Sequence, residues 1–162
     1  MQTAYFAGGC FWCIEAIFQR VNGVLSLASG YCNGTTKNPT YQEICAGDSG
    51  HAEVLKIEFD ETQISYTELL EIFVVVHDPT SLNQQGSDMG TQYRSAVFYT
   101  DSKQRELAQS LIDSIKGAVT EISPLDVFYV AEDYHQNYFN DNQNQPYCQM
   151  VILPKINKYL NK

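Results

Sequence analysis

Apolar residues in this chain keep two rhythms, and the order in which those rhythms alternate limits the fold more tightly than anything else in the sequence. Gln2 to Ala7 alternates as a short strand and stops at Gly8-Gly9. Phe11 to Arg20 reads as a helix, with Ile14, Ile17, Phe18 and Val21 spaced along one face. Val24 to Tyr31 reads as a second strand, Cys32 to Pro39 as a polar loop, and Tyr41 to Ala46 as a helical turn. His51 to Asp60 is the clearest strand, because His51, Glu53, Leu55, Ile57 and Phe59 share one side of a two-residue repeat. Tyr66 to His77 is an apolar helix, Asp78 to Gln92 a long loop, and Tyr93 to Thr100 a strand. A helix from Ser102 to Lys116 follows, opened by Asp101 and Gln104 at capping-box spacing and stopped by Gly117.

Strand, helix, strand, strand, helix, strand up to Thr100 is the order of a ferredoxin-like split βαβ core. The expected fold is therefore α+β: a two-layer α/β sandwich on a mixed sheet with an irregular C-terminal extension. That extension holds a strand near Asp126 to Ala131, a helical piece around Tyr134 to Phe139 and the mostly apolar run Tyr147 to Leu153. A length of 162 residues suits a single domain, residues 1–162. The loop from Asp78 to Gln92 is longer than a connector needs, which points to a functional segment.

The net charge of −9 speaks against nucleic acid or an anionic membrane surface as a partner, since both need clustered Lys and Arg. No aliphatic run approaches the roughly 20 residues of a membrane span, and Met1 to Trp12 lacks the basic and apolar regions of a secretory leader. Five cysteines, an odd number, fit thiols in a reducing compartment better than a disulfide framework, so a cytoplasmic location is expected. Eleven tyrosines against one tryptophan hint at polar-tipped aromatics lining a site.

Cys10 follows a strand and a Gly-Gly turn and opens a helix. Free N–H groups and the helix dipole favour an anion there, so the thiol is expected to ionise below the reference value of about 8.5, with burial opposing the drop until a polar ligand binds. Cys13 makes the motif Cys-Phe-Trp-Cys. No second C-x-x-C accompanies it, so a zinc site is not indicated, whereas a dithiol on one helical turn can close into a disulfide. Glu53 shares its strand face with core residues. A carboxylate there is costly, so the group should stay protonated near neutral pH and serve as a proton donor, unless it escapes to solvent at the strand end. Tyr41, Tyr93, Asp88, His51, His77 and His135 read on their own as ordinary core or surface groups.

Together, Gly9-Cys10-Phe11-Trp12, Gly50-His51-Ala52-Glu53-Val54, His77-Asp78-Pro79-Thr80 with Gln85 to Ser95, and Glu132-Asp133-Tyr134-His135-Gln136 resemble the A-type peptide-methionine sulfoxide reductases. The likeness runs from Phe6 to about Leu153. It implies thiol-dependent reduction of methionine-S-sulfoxide, free or in oxidised proteins, with Cys10 as nucleophile and Glu53 as acid. It implies that Tyr41 and Tyr93 bond the sulfoxide oxygen, that Phe11 and Trp12 hold the S-methyl group, and that Asp88 belongs to the site's polar network. Cys10 would become a sulfenic acid and then a disulfide, reduced by thioredoxin or another dithiol. No metal or bound cofactor is implied, and a monomer is expected.

Many members of that family keep the resolving cysteine in a glycine-rich tail, but no glycine follows Gly117 here. Cys13 is the preferred resolver and Cys148 the alternative; Cys32 and Cys45 read as bystanders. Two other readings remain open at this point: a general thiol-disulfide oxidoreductase built on Cys10-x-x-Cys13, and a non-catalytic module that binds Met-containing peptides.

Overall fold

The computed structural model describes residues 2–160. In chain order its elements are β1 (Gln2–Ala7), α1 (Phe11–Phe18), β2 (Val24–Cys32), α2 (Tyr41–Cys45), β3 (Ala52–Phe59) and α3 (Tyr66–Val76). A small hairpin of β4 (Gln84–Gln85) and β5 (Asp88–Met89) comes next, then β6 (Ala96–Tyr99) and α4 (Ser102–Asp113). The chain finishes with β7 (Glu121–Pro124), β8 (Phe128–Val130), α5 (Tyr138–Asp141), a π-helical turn over Cys148–Ile152, and α6 (Leu153–Leu160).

The main sheet runs β7-β6-β1-β3-β2-β8. Its inner four strands, β6-β1-β3-β2, are antiparallel neighbours, as the split βαβ order requires. The parallel pair β6–β7 makes the sheet mixed. The C-terminal extension is more regular than its sequence suggests, since it supplies both edge strands. β7 escapes a periodicity reading because it is short and ends at Pro124, a residue tolerated at a sheet edge.

Side chains alternate across the sheet as the pleat demands. Ala4, Phe6, Leu55, Ile57, Phe59 and Val97 face the layer formed by α1, α3 and α4, where Ile14, Phe18, Leu69, Leu70, Phe73 and Ala108 meet them. Tyr5, Ala7, Ala52, Val54, Ala96 and Phe98 form the opposite face, covered by Leu125 and Phe128. Helix α1 is buried on nearly every side. Its far side, at Ala16 and Ile17, is wrapped by Phe139, Cys148, Ile152 and Ile156 of the C-terminal segment. α1 is thereby held as a strut between sheet and tail.

The Gly8-Gly9 turn sets where that strut begins. A side chain at Gly8 would strike His77, a buried histidine wedged between the Phe73 carbonyl (2.5 Å) and the Ser95 hydroxyl (2.7 Å). Gly9 has φ +82°, its N–H donates to the Tyr93 carbonyl at 3.1 Å, and a Cβ there would lie 2.9 Å from Gln85. Gly9→Ala should therefore destabilise the protein by about 1–3 kcal/mol, read by urea unfolding. A loss of only a few tenths would show that the turn relaxes freely and does not fix the start of α1.

Candidate active site

Cys10 is the N-cap of α1, in extended backbone geometry, and its side chain does not cap the helix. The orphan N–H of Phe11 instead donates to Glu53 Oε1 at 3.1 Å, across from the central strand β3. Glu53 is 1% exposed, on the same face as Leu55, Ile57 and Phe59, and its second oxygen, Oε2, is buried without a partner. The escape to solvent that the strand end offered does not occur. Cys10 retains 7% exposure beside this carboxyl.

The tyrosines converge on the same acid. Tyr93 is delivered by the Gly9–Tyr93 backbone bond at the end of a short 3-10 turn, and Tyr41 begins α2. Tyr41's backbone N–H donates to Glu132 Oε2 (3.0 Å), while Tyr31 donates to Glu132 Oε1 (3.1 Å). Both Tyr41 and Tyr93 titrate above their ordinary range, through burial first and the nearby Glu53 charge among the further causes, so their hydroxyls remain donors. Trp12 stacks face to face on Tyr138 with ring centres 3.7 Å apart, and its indole N–H donates to His135 Nδ1 at 3.0 Å. Phe11 lies deeper, wholly buried against Tyr31 and His135.

Cys13 is 3% exposed and on the same turn as Cys10, its backbone N–H bonded to the Cys10 carbonyl at 3.1 Å. The two thiols are close enough to shift each other's ionisation. Cys13 Sγ lies 3.7 Å from the Tyr147 hydroxyl, which donates to Asp88 Oδ2 at 2.6 Å. Asp88 arrives on the β4–β5 hairpin, tied back by paired bonds between the Gln85 amide and the Asp78 backbone (2.8 and 2.6 Å). The long loop is thus the carrier of Asp88, although its hydrogen bond leads to Cys13's neighbour. A cleft of about 680 Å³, lined in part by Gln85, Asp88, Val151 and Lys155, opens on that side; neither Cys10 nor Glu53 lines it. Cys148 is fully buried in the π-helical turn, Cys32 is buried in the sheet, and Cys45 is exposed.

Glu132 and His135 lie in the motif that carries the family resemblance, although neither is given a role there. Sequence reasoning missed Tyr138 and Tyr147 as parts of this cluster, and only the surplus of tyrosines pointed towards them. No group of three or more His, Cys, Asp or Glu among the described residues is arranged to hold a metal ion, and no described helix is long and apolar enough to cross a membrane.

A family model, peptide methionine sulfoxide reductase, matches residues 2–162. A peptide methionine sulfoxide reductase MsrA of Vesicomyosocius okutanii is 62% identical, with both chains covered in full. The chain belongs to the MsrA-type peptide methionine sulfoxide reductases. Among solved structures, reduced Mxr1 from Saccharomyces cerevisiae aligns with a TM-score of 0.83 and 32% identity, covering 91% of this chain and 88% of that one. Mxr1 in complex with Trx2 shares the fold at a TM-score of 0.58 and 22% identity, over 85% and 84% of the two chains.

In this reductase Glu53 keeps its proton near neutral pH. Burial pushes Glu53 up to about 8, against the lowering pull of the Phe11 N–H. Burial also pushes Cys10 well above its ordinary value, helped by the neighbouring Cys13 thiol and by the Glu53 charge. The burial expected to oppose the helix terminus at Cys10 outweighs it in this pocket. The neighbouring Cys10 thiol instead draws Cys13 down to about 7, against burial, with the Lys155 charge adding to the lowering.

Glu53's raised value costs stability as pH rises. The folded protein keeps a proton to about pH 8 that the unfolded chain releases near 4.5. Its contribution is complete below 4.5 and is lost progressively towards 8, at up to about 1.4 kcal/mol per pH unit. His77 has the opposite slope, since burial lowers it from 6.5 to about 4, but it is common to both proteins in a comparison with Glu53→Gln. The stability advantage of Glu53→Gln over the parent should therefore widen between pH 5.5 and 7.5 in urea titrations. An advantage independent of pH would mean that Glu53 ionises normally in the fold.

Proposed function

We propose that this reductase acts on methionine-S-sulfoxide, free and in oxidised proteins, with Cys10 attacking sulfur and Glu53 donating a proton to oxygen. The observation that carries the reading is the asymmetric carboxyl of Glu53: Oε1 accepts from a backbone N–H, and Oε2 is buried and unpartnered. A carboxylic acid bonded in this way carries its proton on Oε2, ready for an acceptor. A sulfoxide oxygen is such an acceptor, and sulfur becomes electrophilic once that oxygen is protonated. Tyr41 and Tyr93 supply two further donors, and Trp12, flanked by Tyr138 and Tyr147, supplies an apolar wall for the methyl group. Phe11 backs that wall from beneath, and Asp88 orders its polar edge through Tyr147. The preference for the S epimer follows from the family type.

The protons balance without an external acid. Glu53 protonates the oxygen, the Cys10 sulfur bonds to the substrate sulfur, and the Cys10 thiol proton restores Glu53. Oxygen then transfers to Cys10 as methionine leaves, giving a sulfenic acid. Cys13 attacks that sulfur, water departs, and a Cys10–Cys13 disulfide remains. Their shared helical turn favours Cys13 over Cys148. A thioredoxin-type dithiol would restore the thiols, a reading supported by the assembly of yeast Mxr1 with Trx2. Five free thiols suit a reducing compartment such as the cytoplasm. A general thiol-disulfide oxidoreductase would leave the buried acid beside Cys10 without a task, and a binding module would need neither thiol.

Cys10→Ser should form no methionine from methionine-S-sulfoxide with dithiothreitol, and Glu53→Gln should lose about 10²–10⁴-fold in rate. The parent's rate should fall above about pH 8, where Glu53 ionises, and Glu53→Gln should lack that limb. Full turnover by Glu53→Gln would remove the acid from the mechanism. Peptide mapping after one equivalent of substrate should yield the Cys10–Cys13 disulfide, whereas Cys10 bonded to Cys148 would reassign the resolver.

A further inference from the structure

Cys13 has a proton to lose when the disulfide forms, and it is almost sealed from water. The Tyr147 hydroxyl lies 3.7 Å from its sulfur, within reach of an S–H···O bond, and its own proton is committed to Asp88 at 2.6 Å. With that proton pointing at Asp88, the Tyr147 oxygen faces Cys13 as an acceptor. We propose that Tyr147 is a catalytic residue and Asp88 a positioning residue of the resolving step, the pair receiving the Cys13 proton as its sulfur attacks Cys10. The proposal rests on Cys13 being the resolver.

The step balances. The Cys13 S–H proton passes to Tyr147 oxygen while the Tyr147 proton passes to the Asp88 carboxylate. The Cys13 sulfur forms the S–S bond, the Cys10 S–O bond breaks, and the departing hydroxide leaves as water with the proton of Glu53. Asp88 afterwards loses its proton to solvent, which it reaches at its half-buried position, and Glu53 regains one. No external oxidant or reductant enters.

Every charged or titratable group around Cys13 has a place in this account. Cys10 neighbours it from the helix start, Glu53 lies beyond Cys10 on β3, and Cys148 follows Tyr147 in the π-helical turn. Lys155 of α6 stabilises a Cys13 thiolate, and the Asp88 charge opposes it, so neutralising Asp88 by protonation aids the attack. The Tyr147 ring meets Trp12 edge-on at 5.8 Å, which keeps its hydroxyl from swinging away.

Single-turnover kinetics on the reduced full-length enzyme separate the two chemical steps. Methionine is counted after rapid quench, sulfenic acid is trapped with dimedone, and the Cys10–Cys13 disulfide is quantified by mass spectrometry. In Tyr147→Phe and Asp88→Asn, disulfide formation should slow at least tenfold more than methionine formation, and dimedone-trapped Cys10 should accumulate. The rise of the parent's disulfide rate through about pH 7 should shift upward in Tyr147→Phe, where attack must await a preformed thiolate, and Asp88→Glu should recover most of the rate lost in Asp88→Asn. Equal slowing of both steps would overturn the assignment, as would an unchanged disulfide rate and pH profile. If the parent itself yields a Cys10–Cys148 disulfide, the resolver reading fails; if it yields Cys10–Cys13 and the variants resolve normally, only the proton route fails.

Discussion

One hydrogen bond joins the sheet to the chemistry: the Phe11 N–H donating to Glu53 Oε1 at 3.1 Å. It satisfies a helix N-terminus whose cap residue, Cys10, offers no side-chain acceptor. It also decides which oxygen of a buried acid carries the proton. Because β3 is the strand between β1 and β2, and α1 is packed on the same sheet face, neither partner can drift without disturbing the core. The Gly8-Gly9 turn places the thiol, and its Gly9–Tyr93 bond draws in the tyrosine from a segment far along the chain.

The same low-dielectric setting that protonates Glu53 also disfavours a standing thiolate at Cys10. A resting anion beside a neutral acid would be paid for in desolvation and would compete with substrate for the proton. In the proposed reaction, keeping both groups neutral at rest leaves a single proton circuit, from acid to oxygen and from thiol to acid, closed by the sulfoxide itself. Charge then develops only when the polar S–O bond arrives, which is where preorganised donors contribute most.

How much of this could be read from the residues depends on whether the signal was local. The strand boundaries of β1 and the core face of β3, including the buried position of Glu53, follow directly from period-two alternation. The cap of α4 came through in half: Asp101 accepts from the Gln104 N–H, whereas Gln104 turns to Thr100 and not back to Asp101. β7 is a short edge strand with a terminal proline, and its pairing to β6 is a tertiary fact that no local pattern encodes. Tyr138 and Tyr147 reach Trp12 only because the C-terminal segment wraps α1, so nothing at spacing three or four announces them. For Cys10 the helix terminus is visible in sequence, whereas the depth of the burial that opposes it is a tertiary fact.

That wrapping also bears on why the resolver would sit at Cys13. A resolving thiol carried in the tail must travel to Cys10, so the tail must be free to leave. Here the tail supplies Phe139, Ile152 and Ile156 to the core around α1, and Tyr138 and Tyr147 to the wall beside Trp12. With both sulfurs on one helical turn, the disulfide can close while those contacts persist. The cost is that the second thiol, 3% exposed, has little direct access to bulk water for its proton. A buried resolver therefore needs an internal acceptor, and the hairpin carrying Asp88 and the tail carrying Tyr147 meet at the one point where such an acceptor is of use.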